Sequence, residues 1–342
     1  MTAFDPDAAA AAGSGIFGLD TPLDEARIVL VPVPFAATVS YGGGAEHGPA
    51  AILAASHQVD LCDFHFGRIY EAGIHLLAAD PDVVAAHASA RRAAEPILAR
   101  GGAPAGSAEV VEVDRAGELV NERLGAVVAP LLRDGRIVGV LGGDHSVPFA
   151  AIVAAAERGT LGVLHIDAHA DLRCAYEGFR WSHASIMHNV LAAAPSVERL
   201  VQVGVRDFGE GERAAICASE GRIVTHFDAD WQRRRFAGEP FDRLVDEALT
   251  ALPERVWISF DVDGLDPALC PHTGTPVPGG LQWAEAVHLL TRLADSGREL
   301  VGFDLVEVAP GPAGRGEWDG NVGARLLYKL CGAMLRADRG RG

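Results

Sequence analysis

The sequence predicts a mainly parallel α/β sheet covered by helices on both faces. Eight short apolar runs recur along the chain, most of them without polar alternation, and helical patterns separate several of them. Strands buried on both faces read as continuous apolar runs, and their alternation with helices is the mark of a parallel sheet. The runs are Arg27–Val33, Glu71–Leu77, Arg136–Leu141, Leu161–Asp167, Leu200–Val205, Arg222–His226, Val256–Asp261 and Leu300–Leu305. Val120, Leu124, Val127, Val128, Leu131 and Leu132 keep helical spacing up to a stop at Asp134-Gly135. Val287, Leu290, Leu293 and Ala294 repeat that pattern before Ser296-Gly297. The Ala- and Gly-rich segment 79–117 carries the weakest signal, with a helix expected over roughly Val83–Leu98. Nothing in the interior reads as a linker, so residues 27–342 are expected to form a single domain behind an N-terminal extension, 1–26.

Composition excludes several classes of function. Of 342 residues, 49% are hydrophobic, enough for a large core, and the net charge is −17. Nucleic-acid binding needs a basic face to displace counterions, and this chain offers none. Cys62, Cys174, Cys217, Cys270 and Cys331 are scattered without a Cys-x-x-Cys pair, which argues against a disulfide framework or zinc ribbon. The first 25 residues lack a signal peptide's basic start and apolar run. No apolar run reaches the roughly eighteen residues needed to cross a bilayer. A cytoplasmic protein with reduced thiols and no membrane or nucleic-acid partner is expected.

Ligands of parallel sheets bind beyond the carboxyl ends of the strands, and three polar clusters stand there. They are Gly142-Gly143-Asp144-His145-Ser146, His165-Ile166-Asp167-Ala168-His169-Ala170-Asp171, and Ser259-Phe260-Asp261-Val262-Asp263. In extended backbone, residues two apart share a face, so Asp167, His169 and Asp171 can converge, as can Asp261 and Asp263. Four carboxylates crowded together repel unless cations lie among them. With His145 and His169 the set suits two divalent ions. Its oxygen and imidazole donors favour Mn²⁺, with Ni²⁺, Co²⁺, Zn²⁺ and Fe²⁺ left open. A lone Asp144 or His165 would read as a turn or satisfied core residue. The glycines at 42–44 lack any phosphate-binding context.

These clusters resemble those of the ureohydrolase family of arginases and agmatinases. The likeness begins at Gly43-Gly44-Ala45-Glu46-His47-Gly48-Pro49, continues through Gly264-Leu265-Asp266-Pro267 and Thr273-Gly274-Thr275-Pro276, and ends at Asp304-Leu305-Val306-Glu307-Val308-Ala309-Pro310. The resemblance implies a three-layer α/β/α sandwich around an eight-stranded sheet, and a trimer or hexamer. It implies that Asp167 and Asp261 bridge two metals, with His145 and Asp171 completing one site and His169 and Asp263 the other. Asp171 would then handle a proton of the attacking water, and Glu307 would bind the guanidinium. His183, in Trp181-Ser182-His183-Ala184-Ser185, aligns with an agmatinase-type segment and can shuttle protons. His188 and His272 read as structural.

The substrate is less determined. Where arginases carry an Asn that binds the α-carboxylate, this chain has Arg173, and Gly209 replaces an amino-binding Asp. Losing such partners removes the discrimination they provide, so agmatine leads over arginine. A cleft-facing Arg173 or Arg180 would favour a guanidino acid or formiminoglutamate, and closure by Trp181 or Phe179 would favour free guanidine. Two other classes compete: a metal-binding protein without activity, and a deacetylase-like hydrolase using one zinc. Retention of all six candidate ligands and Glu307 weighs against the first, and the paired aspartates weigh against the second.

Overall fold

The computed structural model describes residues 5–11, 13–312 and 317–340. Its main sheet contains β1 (Ile28–Val33), β2 (Ile74–Leu76), β3 (Ile137–Gly142), β4 (Leu161–Ile166), β5 (Val197–Val203), β6 (Ile223–His226), β7 (Arg255–Asp261) and β8 (Glu299–Val306). Every pairing is parallel, and the eight strands lie in the order β2-β1-β3-β8-β7-β4-β5-β6. All eight expected strands are present. The second is shorter than expected because Ile69–Ala72 forms a 3-10 turn, and Gly73 at φ 72° breaks the chain before Ile74.

Helices cover both faces and make the outer layers. One core packs the sheet against α1 (Gly48–Ser56), α8 (Phe241–Thr250), α9 (Trp283–Ala294) and α10 (Trp318–Arg339). The other packs it against α2 (Pro81–Leu98), α3 (Ala108–Arg133), α4 (Phe149–Ala156) and α5 (Ile186–Ala193). Two further helices, α6 (Glu210–Ala218) and α7 (Asp228–Phe236), flank β6 in sequence. Ile16 and Phe17 are buried, and the Phe17 ring meets Tyr328 of α10 at 4.7 Å. The second half of the expected N-terminal extension is therefore part of the packed body. Residues 1–4 of it lie outside the described residues.

Helix α3 begins twelve positions before the pattern that marked it. Val110, Val113, Gly117 and Val120 are all buried and continue the same stripe. The stripe is hard to read because it holds a glycine where an apolar side chain is expected. A Cβ at Gly117 would lie 2.6 Å from the Cβ of Trp181, whose indole fills that place.

Packing is tight where β3 meets β8. A Cβ on Gly139 would stand 2.3 Å from the Phe303 ring and 2.8 Å from Leu30. Overpacking of this kind typically costs about 1–3 kcal/mol. Gly139→Ala should therefore lower the unfolding free energy by that amount, read as a lower urea midpoint at unchanged m in unfolding followed by circular dichroism.

Candidate active site

The strand order decides which loops meet. β3, β8, β7 and β4 are consecutive in the sheet although they are distant in sequence. Their carboxyl ends carry, respectively, His145, Glu307, the Asp261/Asp263 pair, and the Asp167/His169/Asp171 trio. Close backbone approach makes the junction possible. The Gly143 N–H donates to Val33 O, the Asp144 N–H to Phe35 O and the Glu307 N–H to Gly143 O. A Cβ on Gly143 would strike Phe35 O at 2.0 Å, so only glycine fits there.

The six expected ligands converge. His145 Nδ1 lies 2.9, 3.3 and 3.2 Å from carboxylate oxygens of Asp167, Asp171 and Asp261. His169 Nδ1 lies 3.4 Å from Asp167 and 3.1 Å from Asp263. Among the described residues, no lysine or arginine pairs with any of these four aspartates. Asp171 adopts φ 54° and Glu307 φ 62°, a left-handed backbone that costs energy in side-chain-bearing residues and that clusters at functional sites.

The electrostatics follow from this crowding. Burial, reinforced by Asp167, pushes the Asp171 carboxyl up to about 6. Burial together with Asp263 and Asp167 drives Asp261 well above the carboxylate range. Asp167 is held low in spite of burial, because the imidazoles of His165, His145 and His169 surround it. Burial opposes charge on His169, yet Asp263 and Asp167 outweigh it and raise the imidazole to about 12. Without cations, the cluster thus balances itself with protons on imidazole and carboxyl groups. Two divalent ions would replace those protons, and the oxygen and imidazole donors fit them.

His165 also lies within ligand distance, 2.8 Å from Asp167 Oδ2. Its hydrogen bonds exclude it as a ligand. Gln202 Nε2 donates to Ala170 O, so the same nitrogen donates to His165 Nδ1, while Thr225 Oγ1 donates to Gln202 Oε1. The His165 proton must then sit on Nε2 and point at Asp167. On the other side, His145 Nε2 meets Ser259 Oγ at 2.9 Å, and Asp304 accepts from Ser259 Oγ and from Trp257 Nε1. Strand register places Asp304, Ser259, His165, Gln202 and Thr225 in one row across five strands. This polar row orients the cluster from beneath, as outer-shell partners of metal ligands do. Of its members, only His165 was weighed from the sequence. The available signal was a polar residue inside each otherwise apolar run.

Above the cluster opens a cleft of about 270 Å³ lined by Ser40, Tyr41, His169, Asp171, Arg173, Tyr176, His183, Asp207, Phe208, Glu212 and Thr275 among others. His183 Nδ1 lies 3.4 Å from Thr38 Oγ1, and its ring stands edge-on to Tyr176. Burial, then the neighbouring His169 and His145, lower its pKa to about 3, so the imidazole is neutral. Glu307 is buried and is not among the residues that line the cleft; its Oε2 lies 3.2 Å from where a Cβ on Gly274, next to the lining residue Thr275, would stand. Its Oε1 accepts the His145 N–H, while Oε2 is buried without a hydrogen-bond partner among the described residues. Burial and the charges of Asp144 and Asp263 raise its pKa well above the usual range.

Trp181, expected at the substrate, does not line this cleft. It packs on Gly117 of α3 and against Phe149 of α4, 4.8 Å between rings. Arg180 stacks outside it and Phe179 is fully buried, so neither faces the substrate. Instead these residues anchor the loop that carries His183. Asp114 accepts the N–H groups of Arg180 and Trp181, and Asn189 Nδ2 donates to Arg180 O. His272 pairs with Asp319 at 2.8 Å, consistent with a structural role.

Residues 26–332 match the sequence profile of the arginase family. The chain is 37% identical to N(1)-aminopropylagmatine ureohydrolase of Thermus thermophilus, covering 93% of this chain and 94% of that one. It is 32% identical to the enzyme of the same name from Synechocystis, covering 93% and 92%. Among solved structures, agmatine ureohydrolase of Thermoplasma volcanium superimposes with a TM-score of 0.70 at 24% identity, covering 92% of each chain. Proclavaminate amidinohydrolase of Streptomyces clavuligerus gives 0.71 at 23%, covering 96% and 99%. These two likenesses bear on the fold. Among the described residues, no helix is long and apolar enough to cross a membrane.

Metal ions added to metal-free protein must displace the protons held by His145 and His169, whose pKa values are raised. Apparent Mn²⁺ affinity should therefore rise from pH 7 to pH 9, with proton release visible by calorimetry in buffers of different ionisation enthalpy. At a hundredfold excess over Kd, bound metal should add about 2.7 kcal/mol to stability per independent site. Stripping with a chelator should reverse the gain.

Proposed function

This chain is a ureohydrolase of the arginase family, and from that premise we propose that it releases urea from agmatine or from agmatine's N1-aminopropyl derivative. The observation that carries the reading is the set of four buried aspartates with His145 and the partly buried His169, unpaired with any arginine or lysine among the described residues, and a Glu307 oxygen that lacks a hydrogen-bond partner among them. In the proposed assignment His145 and Asp171 would hold one ion, His169 and Asp263 would hold the other, and Asp167 and Asp261 would serve both. Mn²⁺ is the proposed metal, by donor type.

Two bound divalent ions would supply a water acidic enough to attack at neutral pH. The remaining work falls to the chain. Glu307 offers Oε2 to the planar guanidinium fork, a pairing of charge and geometry that fixes the carbon for attack. As the water oxygen bonds to that carbon, Asp171 takes a proton and passes it to the alkyl nitrogen. The C–N bond then breaks, urea leaves, and the second water proton ends on the amine. His183, neutral in its half-closed site, relays protons between the leaving amine and solvent.

Arginine should fit this cleft less well, because Arg173 and Gly209 stand where arginases carry the Asn and Asp that hold its α-carboxylate and α-amino groups. Each buried group left unpaired costs about 1–3 kcal/mol. The names of the relatives support a substrate of the agmatine type.

The test is urea release from a panel of agmatine, N1-aminopropylagmatine, arginine, guanidinobutyrate, guanidine and formiminoglutamate (formamide scored separately) after Mn²⁺ loading. The two agmatine-type compounds should give the highest kcat/KM, and preference for any other compound would overturn the substrate assignment. Elemental analysis should find about two ions per chain. His183→Asn should lower kcat by about 10²-fold with metal content intact, and Glu307→Gln should raise KM and lower kcat together. A homo-oligomer is also proposed, and light scattering that returns the mass of one 35.8 kDa chain would overturn it.

A further inference from the structure

The end of the sheet opposite the aspartate cluster carries the inverse problem of charge. The neighbouring strands β1, β3, β8 and β7 begin at or just after Arg27, Arg136, Glu299 and Arg255. Strand register sets Ile28 beside Ile137 and Glu299 beside Arg255, so Arg27 and Arg136 enter the sheet side by side. Arg158 follows just past the end of α4. Together with Asp338 of α10, these residues line a cavity of about 180 Å³.

Main-chain carbonyls hold three of the guanidinium groups in place. Arg27 donates to Gly135 O, Arg136 to Ala26 O and Asp24 O, and Arg255 to Thr160 O and Ala155 O. Carbonyls fix a guanidinium but carry no formal charge to neutralise it. Carboxylates are fewer here than cations. Asp338 meets Arg27 at 2.8 Å, and Glu299 meets Arg255 at 3.5 Å. Arg136 has no carboxylate partner among the described residues, and the Arg158 side chain has neither a hydrogen bond nor an ion pair among them. Four guanidinium groups against two carboxylates leave two positive charges over, in a chain whose net charge is −17. At the other end of the sheet protons can relieve the crowding, because carboxyl groups accept them. Arginine offers no such escape, since its guanidinium does not give up its proton in proteins. Relief here comes from an anion.

We infer that this cavity is a binding site for a small doubly charged oxyanion of the phosphate class, with Arg136 and Arg158 as its principal contacts. Planar guanidinium forks match phosphate oxygens two at a time, and a fork already fixed by carbonyls loses little freedom on binding. Two surplus charges match a dianion, and a cavity of this size takes a single small ion rather than a polymer. The site lies at the amino ends of the strands, away from the cleft at their carboxyl ends. It therefore does not depend on the ureohydrolase reading.

The experiment is calorimetric titration of the full chain with inorganic phosphate at fixed low ionic strength and mildly basic pH, where phosphate is mainly doubly charged. It is run on chelator-treated protein and again after Mn²⁺ loading with excess metal removed. Wild type should bind a single phosphate per chain with the same Kd in both states. Arg158→Ala should weaken binding by about tenfold or more, the loss expected of one charge-assisted hydrogen bond, and Arg158→Glu should abolish it. Arg115→Ala removes the same charge from an exposed position of α3 outside the cavity, and should stay within about twofold of wild type. Three results would each overturn the inference: no phosphate binding by wild type, binding that appears only after Mn²⁺ loading, or an Arg158→Ala variant that loses no more than Arg115→Ala.

Discussion

Four aspartates share a buried space with two imidazoles and without a lysine or arginine counterion among the described residues. Charges of one sign at such distances cannot all persist in a low-dielectric interior. Protons or cations must enter, and the positions of the donors favour cations. The rest of the site adjusts to this constraint. Asp171 and Glu307 accept left-handed backbone, Gly143 lets three loops pass within contact, and a polar row crosses the sheet beneath the cluster.

That row explains how so charged a site can be rigid. Asp304 and Ser259 hold one imidazole, and Gln202 with Thr225 fixes the tautomer of another. Each polar atom spends its hydrogen bond on a neighbour in register, so the ligands have few alternative orientations. Buried networks of this kind are costly when half satisfied and rigid when complete. The fold supplies the register, because parallel strands place residues from remote segments side by side.

Chemistry and selectivity occupy different parts of the molecule. The aspartate and histidine cluster is built on the ends of the four central strands, where the sheet allows little movement. The cleft above it is built on the loops 38–42, 173–185 and 205–212. Arg91 anchors the first to a helix, Asp114 and Asn189 anchor the second, and the third is tied to Ala168 O by the Arg206 and Asp207 N–H groups. A family can retain the first and vary the second. Arg173 shows why the loops matter. In sequence it is a bare cation that invites a carboxylate, whereas in the fold Glu212 and Tyr176 already engage it.

Sequence alone determined the eight strands, their parallel class and the six side chains that converge, because apolar runs and Asp-x-Asp or His-x-Asp spacing are local signals. It also singled out His183, which lines the cleft, and Glu307, whose buried carboxylate accepts the His145 N–H. Only the tertiary structure decided the rest. Trp181 is hydrophobic and close to His183 in sequence, yet it turns away into the gap left by Gly117, sixty-four positions earlier. The start of α3 was hidden by that same glycine. Asp304, Ser259 and Gln202 became partners only when strand order brought their runs together, and the arginines at the amino ends of β1, β3 and β7 came to line one cavity for the same reason. Local spacing dictates which face a residue takes, but what it touches depends on strand order and on the space other side chains leave, which no short stretch of sequence contains.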